Sequence, residues 1–343
     1  MKNKIKTQSY IFLGSGGVGK TSCSTAFALS LAKQGKKIAL LSIDPAKRLA
    51  RSLNLKLGSE MHKVDVGLDY KGDVFAAMLD QKVVFDQMIE KFAKKQKTRE
   101  KIYAHPLYVA ASEKLSGPLE YMAVAKFFEL VSSNKYDAVV LDTPPDVNAL
   151  DFLARPNVLG AFMDLGIIKI LLKPLHLANR FGLSKVFSAG ESTVAKIAKL
   201  TGIDALNILV EFIVLCQEVI KGFNEVAQAT KKIFKSPECH FVYVTRLEQR
   251  CLRSLRFMNQ TLNDMGFQAS AMVFAKVQKL ANQKTDPFEH KRAKHIESIK
   301  SDMLSIFDGD FNHFSLSDFS HLTEPLEIVL SMSEEVLDKN VSI

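Results

Sequence analysis

Lys20 and Thr21 have the residue types and the setting for phosphate chemistry. They close the run Gly14-Ser15-Gly16-Gly17-Val18-Gly19-Lys20-Thr21, a G-x-x-x-x-G-K-[ST] pattern between an apolar stretch and a helical one. Glycines let the backbone take positive φ and approach an anion closely, so successive N–H groups can cradle phosphates. The helix that follows turns its positive dipole end to the same anion. Gly14, Ser15, Gly16, Gly17, Val18, Gly19, Lys20, Thr21 and Ser22 are therefore the expected phosphate-binding residues. Lys20 is expected to reach the β- and γ-phosphates, and the Thr21 hydroxyl to ligate Mg²⁺.

Two aspartates at strand ends extend the pattern. Asp44 follows the apolar run Ile38–Ile43 and precedes Pro45-Ala46. At the carboxyl end of a strand in a doubly wound sheet such a residue lies in the ligand crevice. Alone, Asp44 reads equally well as an Asx turn or a helix N-cap; beside a phosphate loop, a role at the γ-phosphate is the better reading. Asp142 ends Tyr136-Asp137-Ala138-Val139-Val140-Leu141, a Val-rich buried strand, and has the position of a carboxylate that holds Mg²⁺ directly or through water. Thr21, Asp44 and Asp142 make up the expected metal set, and Thr143-Pro144-Pro145 reads as a stiff switch loop.

These positions need parallel strands side by side with helices returning the chain over the sheet. Strands are expected at Tyr10–Leu13, Ile38–Ile43, Val74–Leu79, Tyr136–Asp142, His240–Thr245, Phe267–Ala275 and Phe314–Leu316. Helices are expected from Ser22, over Asp80–Lys101, Leu119–Ser132, Leu247–Gly266, Lys291–Leu304 and Pro325–Leu337, with Gly117-Pro118 as a break and Gln278–Pro287 as a polar loop. The alternation implies an α/β protein with a doubly wound, mostly parallel sheet, a single domain over 1–343. Residues 146–235 read as a helical insertion subdomain, unusually apolar at Val158–Leu172 and Ala205–Ile220. Helices apolar over most of their circumference form core and dimer surface, or line a groove for an apolar partner; both readings stand at this point. His176 receives no ligand role.

Composition excludes several classes. An apolar fraction of 47% and a charged fraction of 24% over 343 residues are ordinary for a soluble globular chain. No uncharged apolar stretch reaches membrane-spanning length, and no signal-peptide pattern follows the lysines at 2, 4 and 6, so a cytoplasmic protein is expected. Cys23, Cys216, Cys239 and Cys251 are scattered without metal-ligand spacing. The net charge of +9 is uneven: from Leu304 onward eight acidic residues face Lys339 alone, a net −7 that leaves +16 on residues 1–303. A basic body suits acidic partners, or is a solvated surface.

The glycine loop, Asp44-Pro45-Ala46 and Asp142-Thr143-Pro144-Pro145 resemble, in order and spacing, the deviant P-loop ATPases of the ArsA type. That family includes arsenite-pump ATPases and tail-anchored-protein targeting factors. The resemblance continues through Gly117-Pro118-Leu119-Glu120-Tyr121-Met122, Asn148-Ala149-Leu150-Asp151-Phe152-Leu153 and Phe241-Val242-Tyr243-Val244, and looks closest to the bacterial branch. It implies a homodimer with ATP and Mg²⁺ between subunits. Asp44 would position the attacking water, Lys20 and Thr21 would hold phosphates and metal, and Asp142 would lie in the second switch.

The chain departs from the family pattern at several positions. Serine stands at 15 where the family has lysine, and a missing cation at transferring phosphates costs on the order of 10³-fold in rate. Lys47, Arg48 or Arg51 is expected to supply the charge, with Lys47 taken with Lys20 and Asp44 as catalytic. Ala275 stands where the family uses asparagine for adenine, and neither a zinc cysteine pair nor an arsenite cysteine triad is present. The leading expectation is an Mg-ATP-dependent ATPase coupling dimer opening to an apolar protein or membrane-protein partner. The alternatives are a hydrolysis-poor nucleotide-gated switch, and a ParA/MinD-like positioning ATPase on DNA or membrane. The acidic C-terminus argues against a membrane anchor in the last of these.

Overall fold

Strands apolar on both faces must lie between two layers, and the six-residue strands that contain the runs YIFL and ALLS are buried nearly throughout. The computed structural model describes residues 6–44, 46–65, 71–109, 119–145, 208, 211–278, 287–307, 311–319 and 321–339. Its strands are β1 (Gln8–Leu13), β2 (Lys37–Ser42), β3 (His62–Lys63), β4 (Asp73–Met78), β5 (Ala138–Asp142), β6 (Cys239–Thr245), β7 (Ala269–Val277) and β8 (His313–Ser317). They form one eight-stranded sheet in the order β3-β4-β2-β5-β1-β6-β7-β8. Every pairing is parallel except β3 with β4. The expected doubly wound, mostly parallel α/β sheet is what the chain forms.

From β1 the chain crosses to β2 on one side and later to β6 on the other, so the strand order reverses at β1. Such a switch point opens a crevice at the carboxyl ends of the strands. Register sets the residues of that crevice. Phe12 of β1 and Ser42 of β2 both pair with Asp142 of β5, so Gly14, Asp44 and Asp142 leave the sheet side by side.

The helices considered are α1 (Lys20–Lys33), α2 (Arg48–Ser52), α3 (Gln81–Phe92), α4 (Gln96–Ala104), α5 (Leu119–Ser132), α6 (Gln217–Phe234), α7 (Gln249–Asp264), α8 (Pro287–Leu304) and α9 (Pro325–Asp338). The chain divides into two compact units. The first takes residues 1–80, 120–154 and 229–343 and contains the sheet. In it, α1 packs on α2 and α9, and α7 on α8. Phe127, Phe234, Phe241 and Phe267 form a ring cluster with centroid separations of 5.5 to 6.1 Å.

The second unit takes residues 81–119 and 155–228. Its described core includes Val84, Met88, Ile89, Ile102, Val219 and Phe223. Gly222 of α6 admits the Phe92 ring so closely that an added Cβ would lie 2.2 Å from it. The break at Gly117-Pro118, the motif at 148–153, the apolar stretch 158–172, His176, residues 205–207 and 209–210 of the stretch 205–220, and most of 278–287 lie outside the described residues.

The structure differs from the sequence expectations at several boundaries. The helix expected over Asp80–Lys101 is two helices, α3 and α4, separated at residues 93–95. Lys95 takes an extended conformation (φ −88°, ψ 127°). The freed backbone groups find side chains: Glu218 accepts the Lys94 N–H at 3.2 Å and Arg99 donates to the Ala93 carbonyl at 2.9 Å. A charged run gives no apolar period from which to read such a break. α8 begins at Pro287, four residues before the expected start, with proline in the N-terminal turn where its missing N–H is harmless. β7 runs to Val277 and pairs irregularly beyond Phe274.

Candidate functional site

Val244 of β6 forces the loop to begin with glycine. A Cβ on Gly14 would sit 2.2 Å from the Val244 carbonyl oxygen. Gly19 ends the loop at φ 103°, a left-handed conformation that lets α1 begin with Lys20. No side chain caps α1, so its N-terminal N–H groups remain for a ligand. Lys20 is buried and its ammonium donates to the Gly14 and Ser15 carbonyls at 2.6 and 2.9 Å.

Beneath the loop the two aspartates meet through hydroxyls. Thr21 Oγ1 and Ser42 Oγ each donate to Asp142 Oδ2 at 2.9 Å. Ser42 Oγ in turn accepts the Asp44 N–H at 3.3 Å. Asp142 is fully buried, and its Oδ1 has no hydrogen-bond partner. Burial pushes the Asp142 carboxyl up to about 6, against the pull of the Thr21 and Ser42 hydroxyls and the Lys20 charge. A desolvated carboxylate with one bare oxygen, next to a threonine hydroxyl, is a fitting donor set for a hard cation that also takes phosphate oxygens and water.

Asp44 is 6% exposed. Its Oδ1 accepts the Ala46 N–H at 2.9 Å, the Asx turn read from the sequence, and its Oδ2 lies 3.2 Å from the Arg48 guanidinium. Thr143 Oγ1 donates to the Phe12 carbonyl at 2.6 Å, tying the start of the Thr143-Pro144-Pro145 segment to β1. A cavity of about 320 Å³ opens over these groups, lined by Gly17, Gly19, Lys20, Thr21, Ser22, Thr143, Arg48, Arg51, Ser52 and Pro325. Gly14, Ser15, Gly16 and Val18 do not line it. The last three border a second cavity on the other side of the loop.

Of the three cations expected to replace the family lysine, Arg48 and Arg51 line the loop cavity, and Lys47 does not. Lys47 instead adopts φ 54° as the residue before α2 and is exposed. Arg51 also donates to the Ala46 carbonyl at 2.5 Å. Ala275 is buried, and its Cβ lies 3.9 Å from a Cβ placed on Gly19, so this position does border the loop. Sequence reasoning missed Ser42 and Pro325. Ser42 carried a signal, a hydroxyl in an otherwise apolar central strand, because a buried polar group needs a partner. Pro325 carried none, since only the packing of α9 on α1 brings it there.

Comparison with known proteins agrees with this geometry. The family model described as anion-transporting ATPase, ArsA type, matches residues 7–324. The chain is 27% identical over 307 residues to a putative arsenical pump-driving ATPase 2 of Aquifex aeolicus, covering 87% of this chain and 91% of that protein. It is 34% identical over 155 residues to an ATPase GET3 of Malassezia globosa, covering 45% of this chain and 44% of that one. A putative arsenical pump-driving ATPase of Halobacterium salinarum is 32% identical over 171 residues, which are 47% of this chain but only 26% of that protein. The chain thus spans nearly all of the first relative and about half or less of the other two. With the glycine loop, the strand-end aspartates and a match across most of its length, this chain belongs to the ArsA-type family of anion-transporting ATPases.

Proposed function

We propose that the chain hydrolyses ATP with Mg²⁺, using Lys20, Thr21, Asp44 and Asp142, and that hydrolysis drives opening and closing of a homodimer. The observation that carries this reading is the hydrogen-bonded chain Thr21–Asp142–Ser42–Asp44 beneath an uncapped glycine loop. Mg²⁺ bound there supplies charge neutralisation at the phosphate oxygens, with Thr21 and Asp142 as the residues that hold it.

The chain's own groups do the positioning. The Lys20 ammonium, which sits on two loop carbonyls, exchanges them for phosphate oxygens when a triphosphate enters. Asp44, held by the Ala46 N–H and Arg48, orients a water toward the γ-phosphate and accepts its proton. As the third residue of the expected metal set, Asp44 would add carboxylate charge beside Thr21 and Asp142. Ser22 and the loop N–H groups bind the remaining phosphate charge.

Residues 146–235, read from the sequence as helical, are proposed as an insertion that carries the coupling, with an apolar protein or membrane-protein segment held along 158–220. In the second unit Val109, Ile208 and Val214 are exposed, which supports such a surface. Among the described residues no helix is long and apolar enough to cross a membrane, and a cytoplasmic site of action is part of the proposal. Isothermal titration of Mg-AMP-PNP tests the reading. Saturable heat in the wild type that disappears in Lys20→Ala is expected; no heat in the wild type overturns it.

The loop side chains favour a second reading, a slow nucleotide-gated switch. Within Gly14–Ser22 the charge comes from Lys20 alone, and Ser15 brings none. Single-turnover hydrolysis no faster than in buffer would select the switch.

A further inference from the structure

The glycine loop has a second side. Along it runs a cavity of about 860 Å³, lined by Ser15, Gly16, Gly17 and Val18 and, across from them, by Arg246, Arg250 and Arg253. The arginines come from the end of β6 and the first turns of α7, while Cys251, Ser254, Phe257 and Met258 complete the lining. Gly17 alone is shared with the cavity over Lys20 and Thr21.

The charge balance of this cavity is unusual. Glu248 pairs with Arg246 at 2.8 Å and with Arg250 at 2.5 Å, so three guanidiniums meet one carboxylate and two positive charges are left over. No carboxylate is among the lining residues, and Ser15 adds no charge from the loop. Arg250 and Arg253 also lie in the first turns of α7, where the helix dipole already disfavours cations. Such an arrangement costs stability unless an anion relieves it. A guanidinium presents paired, planar donors that match a phosphate, and it stays charged at any physiological pH.

We propose that this cavity is a second anion site that takes a phosphate-bearing ligand, with Arg250 and Arg253 making the principal contacts and the loop backbone closing the other wall. The site goes beyond the nucleotide reading, because the arginine side of the loop does not require a triphosphate on the lysine side. The phosphate has two possible sources, the nucleotide seated in the loop or a separate anion.

Calorimetric titration with inorganic pyrophosphate tests the site in the full chain. Wild type, Lys20→Ala, Arg250→Gln/Arg253→Gln and Arg250→Lys/Arg253→Lys are compared, all but Lys20→Ala also with saturating Mg-AMP-PNP. Both arginines are exposed, so an unchanged melting curve for these variants is expected. Pyrophosphate binding is expected to survive in Lys20→Ala and to weaken about a hundredfold in the double glutamine variant, roughly tenfold per arginine. The double lysine variant, which keeps charge but loses the fork, recovers part of it. Pyrophosphate excluded by the analogue identifies the nucleotide as the source; pyrophosphate bound alongside it identifies a separate anion. Wild-type affinity in the double glutamine variant, or loss of all pyrophosphate binding in Lys20→Ala, overturns the proposal. Failure of the wild type to bind Mg-AMP-PNP counts against the nucleotide reading alone, since the arginine site is read out on pyrophosphate.

Discussion

Ser42 joins the two aspartates that would otherwise act separately, donating to Asp142 and accepting from the Asp44 N–H. Its removal has a definite sign. Asp142 has its carboxyl raised to about 6 by burial, and Ser42 is one of two hydroxyls pulling it down. Below that value the carboxyl is protonated and no longer a cation ligand. Affinity for Mg-AMP-PNP is therefore expected to hold above pH 7 and to fall as pH drops through about 6. In Ser42→Ala the same fall is expected at higher pH, and superimposable pH profiles would disprove the coupling. Stability runs the opposite way. A carboxyl raised in the fold costs nothing below its unfolded value near 4, and its full cost is present above the folded value. Asp142→Asn should therefore gain stability relative to wild type as pH rises from 4 to 7, by about 2 kcal/mol, read as a pH-dependent gap in melting temperature. A gap independent of pH would mean that Asp142 titrates normally. Ser15 carries no charge where the family resemblance implies a lysine, and the proposal that a nearby cation compensates is testable beside it. Arg48 and Arg51 line the loop cavity, so alanine at either is expected to slow single-turnover hydrolysis by more than Lys47→Ala does. If all three turn over as wild type, the compensating charge lies elsewhere.

At the scale of elements, the loop and the sheet constrain each other through backbone contact, and glycine marks those contacts. Gly14 faces the Val244 carbonyl, and a Cβ on Gly72 would lie 2.2 Å from the Lys36 carbonyl oxygen, where the chain enters β4 beside β2. Alanine at either position is expected to cost roughly 1–3 kcal/mol through overpacking against main chain that cannot rotate away. The two should part in function. Gly14→Ala is expected to weaken Mg-AMP-PNP binding as well, while Gly72→Ala lowers the melting temperature alone; equal loss of affinity in both would show that the loop merely follows global stability. These contacts also show what the sequence could express. The glycine loop, Asp44 and Asp142 were legible because each follows an apolar run whose length and composition announce a buried strand. The two-residue strand β3 and the five-residue helix α2 were not, since neither is long enough to carry a period. The division of the charged helix at residues 93–95 escaped for a related reason, its determinants being Glu218, more than a hundred residues away, and a local arginine. The arginines at 246, 250 and 253 look like an ordinary exposed face until β6 and β1 pair and bring them beside the loop.

For the molecule as a whole, the last helix has more influence on the site than its place at the end of the chain suggests. The family match ends at residue 324, and α9 begins at Pro325. α9 nonetheless packs on α1, burying Val329, Met332 and Val336, and an ion pair joins Lys33 at the end of α1 to Glu334. Its first residue lines the cavity over Lys20 and Thr21. Glu335 adds a tie to the sheet, accepting the Ser317 N–H and hydroxyl of β8 at 2.8 Å each, which with Lys339 holds its carboxyl below the usual range. α9 thus covers one side of the helix whose N-terminus is to bind phosphate. Three buried apolar side chains are worth about 1.5–3 kcal/mol each, a sum comparable with the whole stability of an ordinary domain. A chain ending at residue 324 is therefore expected to unfold or aggregate near physiological temperature. A milder variant, Val329→Ala/Val336→Ala, keeps the question open to measurement if truncation abolishes folding. It should lower the melting temperature and, because α1 is then less well supported, weaken Mg-AMP-PNP binding. Bound nucleotide should in return raise the melting temperature of that variant, since a ligand that binds only the folded state stabilises it by mass action. Wild-type melting and affinity in the double alanine variant would show that the sheet alone positions α1, and that the acidic C-terminal helix serves some other purpose.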